Sequence, residues 1–127
     1  MLDAARKVTE GKARRAFTRD ALSPASDLEV ARRMWIENAK TDPRAEYGDL
    51  LALAEFDVSE RLSEISLPTL VVVGEDERPE FRTQADLLSR SIAGARLEVI
   101  KKAGHVVHLE QPEALADVVL DFLGGLS

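Results

Sequence analysis

The sequence contains no cysteine and few aromatic residues, with one Trp, one Tyr and four Phe among 127 residues. The lack of thiols excludes a disulfide scaffold, a thiolate metal centre and a cysteine nucleophile. Basic residues are also outnumbered by acidic ones. The chain has 17 Lys and Arg against 23 Asp and Glu, which gives a formal net charge of −6. Nucleic-acid phosphates need a basic surface, so no nucleic-acid partner is expected.

Long apolar runs are lacking as well. The strongest run, Leu70–Val73, is far shorter than the roughly 20 residues of a membrane-spanning helix. The chain begins Met1-Leu2-Asp3 and soon becomes rich in charge, without the apolar core of a secretory signal. We therefore expect a cytoplasmic protein with no membrane partner. Its hydrophobic content of 45% is sufficient for one packed domain or a piece of a larger one.

The first half of the chain, residues 1–65, has helical spacing and no alternating strand pattern. Leu28, Ala31, Trp35 and Ala39, for example, recur at spacings of three and four and predict one apolar helix face. Cap residues and turn signals predict four helical pieces. These are residues 2–17 with a break or bend at Gly11, a helix capped by Ser26 or Asp27, a helix from Pro43 capped by Thr41 or Asp42, and a short turn from Asp57 or Ser59 to about Ile65.

After Pro68 the pattern changes to strand, helix, strand, helix. Thr69–Val73 is apolar and β-branched without alternation, which is typical of a strand buried on both faces. A helix from Pro79 to Gly94, a strand at 96–100 and a helix from Pro112 follow. This order predicts an α/β fold with two parallel strands and a crossover helix. Because two parallel strands alone make a poor sheet, the chain is expected to belong to a larger sheet or to pair with a second chain.

Ionisable side chains follow both predicted strands. Glu75, Asp76 and Glu77 come directly after the first strand, and His105 follows the second. The carboxyl ends of parallel strands meet at one edge of a sheet, where ligands and catalytic groups gather in open α/β folds. A carboxylate that orients a histidine there is two-thirds of a nucleophilic triad, and either Asp76 or Glu77 could be that carboxylate.

Three motifs together resemble the C-terminal portion of the α/β-hydrolase superfamily over residues from about 57 to 125. They are Ile65-Ser66-Leu67-Pro68-Thr69 before the first strand, Gly74-Glu75-Asp76-Glu77 after it, and Gly104-His105 with Glu110 and Pro112 further on. Within this superfamily, the sequence most resembles small-molecule hydrolases and enol-lactonases. The resemblance implies that residues 1–65 form a helical cap and that residues 66–127 form the C-terminal βαβα part of the hydrolase core.

The resemblance also implies a reaction and the residues that carry it. The parent reaction would be hydrolysis of an ester or lactone of a small molecule, with no cofactor. His105 would be the general base, and Glu77 would be the triad acid by its place three residues after Gly74. The family usually has Asp at that place, and the extra methylene of Glu leaves Asp76 as the alternative acid.

The nucleophile of such a triad is absent, because Gly-x-Ser-x-Gly occurs nowhere in the sequence. We therefore expect the chain by itself to be inactive as an esterase. The alternative is a non-catalytic binding module that self-associates through an unpaired strand edge. No metal site is predicted, because His105, His108 and Glu110 lack the i, i+4 spacing of H-E-x-x-H.

Overall fold

The computed structural model describes residues 1–15 and 19–126 of the chain. Helices dominate, and two short strands lie in the second half. The elements are α1 (Leu2–Thr9), α2 (Leu28–Lys40), α3 (Pro43–Glu55), a 3-10 helix (Ser59–Glu64), β1 (Leu70–Gly74), α4 (Pro79–Ser91), β2 (Arg96–Ile100), α5 (Val107–Glu110) and α6 (Pro112–Gly124).

The early helices begin at capping residues. The Asp42 side chain accepts a hydrogen bond of 2.9 Å from the Arg44 backbone N–H, and Pro43 takes the first helical position of α3. At α2, the Asp27 carboxylate accepts from the Glu29 N–H at 3.0 Å. Both predicted helix starts are therefore confirmed.

The first predicted helix is shorter in the structure than in the sequence-based assignment. It ends at Thr9, and Gly11 follows with φ +70°, a left-handed conformation that glycine adopts without steric cost. The break at Gly11 was expected, but the helix does not resume over residues 12–15. The last predicted helical residues, 16 and 17, lie outside the described residues.

The chain divides into two compact units, of which the first comprises residues 1–15 and 32–58 of the described chain. Here α1 packs on α3, and the Thr9 hydroxyl donates to the Pro43 carbonyl at 3.2 Å. Apolar side chains of α2 and α3 are partly uncovered, since Trp35 is 43% and Leu51 45% exposed, although Ala31 of the face predicted for α2 is buried. Three short helices have too much surface for their volume to enclose their apolar side chains.

The second unit comprises residues 19–31 and 59–126 of the described chain and contains the sheet. Strands β1 and β2 pair in parallel, with Leu70 opposite Arg96 and Gly74 opposite Ile100. The two strand positions and their parallel pairing confirm the prediction. Among the described residues, β1 has no strand partner on its other edge.

Helices cover both faces of β1. Val71 and Val73 pack against Ala85 of α4, whereas Val72 points to the other face, toward Val107 and α6. This alternation is the period of two that a strand imposes on its side chains. Val71 and Val73 are buried, whereas Leu70 and Val72 on the other face are half-buried. The burial on both faces that the apolar run predicts is therefore complete only on the face toward α4.

The boundary between the compact units differs from the predicted division at residue 65. Residues 19–31 and the 3-10 helix lie with the βαβα part, not with the first helical unit. The functional division into a cap and a core remains a prediction.

None of the helices in the described ranges combines the length and the apolar character that crossing a bilayer requires.

Candidate active site

The acidic loop after β1 is tied to the chain that follows β2. The Glu75 N–H donates to the Ile100 carbonyl at 2.8 Å, and the Asp76 N–H donates to the Ala103 carbonyl at 2.9 Å. Gly74 makes this approach feasible, because a Cβ at this position would lie 2.3 Å from the carbonyl oxygens of Ala103 and Gly104. The two loops at the carboxyl ends of the strands therefore lie in direct backbone contact.

Glu77 and His105 meet at this edge of the sheet. Their atoms Oε2 and Nδ1 are 2.6 Å apart. The Glu77 side chain is nearly buried at 6% exposure, while the histidine side chain keeps 43% of its surface accessible. The second carboxylate oxygen, Oε1, accepts a hydrogen bond of 2.8 Å from the Arg78 backbone N–H.

This hydrogen bond assigns roles to the two imidazole nitrogens. A carboxylate can only accept, so the proton in the bond sits on Nδ1. In the neutral ring, Nε2 then carries the lone pair and can take a proton from another group. An imidazole held in this tautomer by a buried carboxylate is the arrangement that a general base needs.

Aromatic contacts also hold the imidazole ring. The Phe81 ring centroid lies 4.8 Å from that of His105, with the planes tilted by 44°. The guanidinium of Arg78 lies 4.7 Å from the Phe81 centroid, which is cation–π distance. Phe81 belongs to the first turn of α4, so this helix supplies a wall beside the histidine.

Asp76, the alternative acid, makes a different contact. Its Oδ2 accepts a hydrogen bond of 2.6 Å from the hydroxyl of Ser23, a residue that is only 1% exposed. The structure thus brings Glu77, not Asp76, onto the Nδ1 atom of His105. The resemblance favoured Glu77 by its place after Gly74 and kept Asp76 as the alternative, because the choice depends on which way each side chain leaves the loop.

Two further residues of this site, Glu110 and Ser23, were given no catalytic or positioning role in the sequence analysis. Glu110 accepts hydrogen bonds from the backbone N–H groups of Gly104 and Ser23, and Ser23 joins it to Asp76. Glu110 stands in a motif and could have been suspected from it. Ser23 carries no local signal, since its partners lie 53 and 87 residues further along the chain.

A cleft of about 270 Å³ opens beside the Glu77–His105 pair. Its walls are mostly apolar, with Val71 and Val73 from β1 and Phe81 and Leu88 from α4. His105 also lines this cleft, and its imidazole is accessible there. No group of three or more His, Asp and Glu side chains with the arrangement of a metal site occurs within the two described ranges.

The family model of the alpha/beta hydrolase family matches residues 2–118. The chain belongs to this family. Among curated proteins it is 35% identical over 72 residues to 3-oxoadipate enol-lactonase 1 of Acinetobacter baylyi, a match covering 57% of this chain and 27% of the lactonase. It is also 29% identical over 73 residues to monoacylglycerol lipase ABHD6 of Mus musculus, a match covering 58% of this chain and 22% of the lipase.

Solved structures agree on the fold. A thermophilic esterase from Thermogutta terrifontis superposes with a TM-score of 0.80 at 24% identity, covering 98% of this chain and 50% of the esterase. The chain therefore spans half the length of that esterase, and its matches span about a quarter of each of the two curated relatives. The predicted α/β-hydrolase fold is confirmed on this basis.

Proposed function

We propose that this chain supplies the general base and its orienting acid to an α/β-hydrolase active site that cleaves an ester or lactone bond in a small molecule. The observation that carries the proposal is the 2.6 Å contact between Glu77 Oε2 and His105 Nδ1 at the carboxyl ends of two adjacent parallel strands. Family membership and the mainly apolar cleft beside the imidazole support it.

In this mechanism, Nε2 of His105 removes the proton from a nucleophilic hydroxyl as that hydroxyl attacks the carbonyl carbon. The imidazolium then returns the proton to the leaving alkoxide, which gives an acyl-enzyme that water cleaves by the same proton transfers in reverse order. Glu77 keeps the ring in the required tautomer and stabilises its positive charge. Asp76 has a structural role through Ser23.

The nucleophile has to come from polypeptide beyond these 127 residues, since no Gly-x-Ser-x-Gly stands within them. The same holds for the backbone N–H groups that stabilise the oxyanion. We therefore expect purified chain to hydrolyse p-nitrophenyl acetate no faster than its His105→Ala variant does. Turnover by the pure chain that disappears in His105→Ala would contradict this division of the active site.

The proposed roles are tested in a chimera that carries residues 19–126, which include Ser23, in place of the matching C-terminal region of the Acinetobacter baylyi enol-lactonase. Among chimeras that fold by circular dichroism, His105→Ala and Glu77→Gln should lower kcat for p-nitrophenyl acetate by about a thousandfold or more. Asp76→Asn is the matched control, because it removes the neighbouring carboxylate and keeps an oxygen for Ser23. It should retain most of the activity. A chimera that loses its activity with Asp76→Asn and keeps it with Glu77→Gln would refute the assignment of the acid.

A second candidate function is self-association as a binding module without catalysis. It rests on the edge of β1 that has no strand partner among the described residues. The Thr69 carbonyl accepts from the Arg96 N–H, and the Glu75 N–H donates to the Ile100 carbonyl, so odd-numbered residues direct their backbone groups toward β2. The N–H groups of Leu70 and Val72 therefore point to the other edge. Measurement of the oligomeric state separates this function from the catalytic one, as set out in the Discussion.

A further inference from the structure

The carboxylate of Glu110 joins two distant segments of the second unit. Its Oε1 accepts hydrogen bonds from the backbone N–H groups of Gly104 at 2.8 Å and Val106 at 3.3 Å. Its Oε2 accepts from the backbone N–H of Ser23 at 2.7 Å and from the Ser26 hydroxyl. Four donors converge on one carboxylate, and hydrogen bonds to a charged acceptor are about twice as strong as neutral ones.

The bonds of Glu110 bracket the histidine. Gly104 and Val106 are its two neighbours in the chain, and the N–H of His105 itself donates to the Ala21 carbonyl at 2.7 Å. Three consecutive backbone N–H groups are therefore held, two of them by the same carboxylate. The backbone of His105 is thus held by hydrogen bonds on both sides of its Cα atom.

Ser23 connects the same network to the acidic loop. Its N–H donates to Glu110, its hydroxyl donates to Asp76, and that hydroxyl also accepts from the Ala25 N–H at 3.0 Å. Gly104 packs directly on this segment, since a Cβ there would lie 2.7 Å from the Ala21 carbonyl oxygen and 2.8 Å from the Ser23 nitrogen. The segment 21–26 thus bridges the loop that carries Glu77 and the loop that carries His105.

We propose that Glu110 is the positioning residue of the general base, and that it sets the place of His105 through the backbone without touching the imidazole. This inference rests on the function proposed above, in which the Glu77–His105 bond orients the base. A hydrogen bond of this kind requires the ring within a few tenths of an ångström of its partner, so the loop that carries the ring has to be rigid. A shift of the loop would release Nδ1 from Glu77 and free the ring to change tautomer.

The test compares purified chains with the native residue and with Glu110→Gln by NMR. The imidazole ¹⁵N shifts of His105 are measured at pH 9, where an ordinary histidine is neutral and its tautomer can be assigned. Amide hydrogen exchange is measured at residues 104–106 and, for reference, in β1 and β2. Glu113→Gln serves as the matched control, because Glu113 is an exposed carboxylate three residues further along.

We expect the native chain to carry its proton on Nδ1 of His105 and Glu110→Gln to give a mixture of tautomers. In Glu110→Gln the amides of residues 104–106 should exchange roughly ten- to a hundredfold faster, while those of β1 and β2 stay protected. Glu113→Gln should match the native chain in both measurements. Leu97→Ala, which removes core packing under α4, should speed exchange across the unit and leave the Nδ1 tautomer unchanged.

Each contrary result has a distinct meaning. A native chain whose His105 is not protonated on Nδ1 would contradict the proposed function at its acid–base pair. A native Nδ1 tautomer that persists in Glu110→Gln with unchanged exchange at residues 104–106 would overturn the positioning role alone. Loss of the tautomer in Leu97→Ala as well would show that Glu110 acts only through general stability, and it too would overturn the positioning role.

Discussion

At the scale of single residues, the direction in which each side chain leaves the loop determines which of two adjacent carboxylates bonds to the histidine. Asp76 and Glu77 follow one another in the same loop, yet one bonds to Ser23 and the other to His105. The longer side chain of Glu77 reaches the imidazole while its Oε1 accepts from the Arg78 N–H. A glutamate at this place can therefore orient a histidine, although the family usually has aspartate there.

Gly74 is the residue at which close packing is most demanding. A Cβ there would lie 2.3 Å from two backbone oxygens, so Gly74→Ala should lower the stability of the second unit by about 3 kcal/mol, the upper end for overpacking. Urea unfolding followed by NMR amide signals of β1 and β2 gives the measurement. Gly48→Ala is the control, because Gly48 lies inside α3 with nothing within 4 Å of its Cβ position.

The control substitution, Gly48→Ala, should raise stability where Gly74→Ala lowers it. Alanine at position 48 should stabilise α3 by about 0.5–1 kcal/mol, since glycine is the more flexible residue in a helix interior. A Gly74→Ala chain as stable as the native one would mean that the two loops do not approach as closely as described.

At the scale of elements, the helices of the first unit depend on the capping of their ends, because many of their apolar side chains are exposed. In the first unit, α3 has no buried residue, so packing contributes little to holding it. Its first turn carries the Asp42 cap, and the Arg44 guanidinium adds bonds of 3.1 Å and 2.6 Å to the same carboxylate. Local capping therefore matters more for α3 than for α4, which packs on the sheet.

The Asp42 cap predicts a pH dependence. The Arg44 side chain and backbone N–H lower the pKa of Asp42 from 3.8 to about 2. Because the folded pKa lies below the unfolded one, the stabilisation is complete above about pH 4 and disappears as the pH falls through about 2. Asp42→Ala should therefore reduce helix content and the melting temperature at pH 7, and this difference should shrink as the pH is lowered from 4 toward 2.

Asp42→Ser separates the cap from the ion pair in that experiment. Serine still accepts the Arg44 N–H bond and carries no charge, so its effect at pH 7 should be intermediate and nearly independent of pH. Circular dichroism melts at several pH values measure both variants. A deficit in Asp42→Ala that stays constant down to pH 2 would contradict a contribution from the ionised carboxylate.

At the scale of the whole molecule, a two-stranded parallel sheet leaves surface that sheets of this kind normally cover. β1 is apolar and has helices on both faces, but its outer edge has no strand partner within the described ranges. Leu120 and Leu123 of α6 are also exposed. Edge pairing and apolar contact between helices are two separate routes by which such a chain could associate.

Sedimentation equilibrium at micromolar concentration distinguishes these routes. If the β1 edge mediates self-association, the native chain should form an oligomer of fixed stoichiometry, and Leu70→Pro should make it monomeric. Proline removes the N–H of Leu70, which points away from β2 because the carbonyl of the same peptide, that of Thr69, accepts from the Arg96 N–H. Leu120→Glu, which alters the exposed face of α6, should leave the oligomer intact.

Other results would reject the module. An oligomer lost with Leu120→Glu and kept with Leu70→Pro would refute edge pairing. Indefinite aggregation of the native chain would also count against a binding module, and it would favour a polypeptide that needs the rest of its sheet.

Much of the secondary structure could be predicted from local sequence. Asp42-Pro43 predicted the start of α3, the β-branched run predicted β1, and Pro112 predicted the start of α6. These signals act over a few residues, through φ, capping bonds and side-chain period. The apolar spacing of α2, in contrast, did not predict that Trp35 and Leu28 are exposed while Ala31 is buried, because burial depends on what packs against a helix.

The sequence alone determined the two parallel strands, the carboxylates after the first and the histidine after the second, since these follow from backbone preferences and from the order of elements. Tertiary structure decided that Glu77 and not Asp76 contacts the imidazole, that Glu110 holds the backbone on both sides of it, and that Ser23 joins the two loops. Those contacts require segments up to 87 residues apart to meet at hydrogen-bond distance, 2.6–2.7 Å. Only the packed chain brings such segments together, because no local preference encodes where a distant segment will lie.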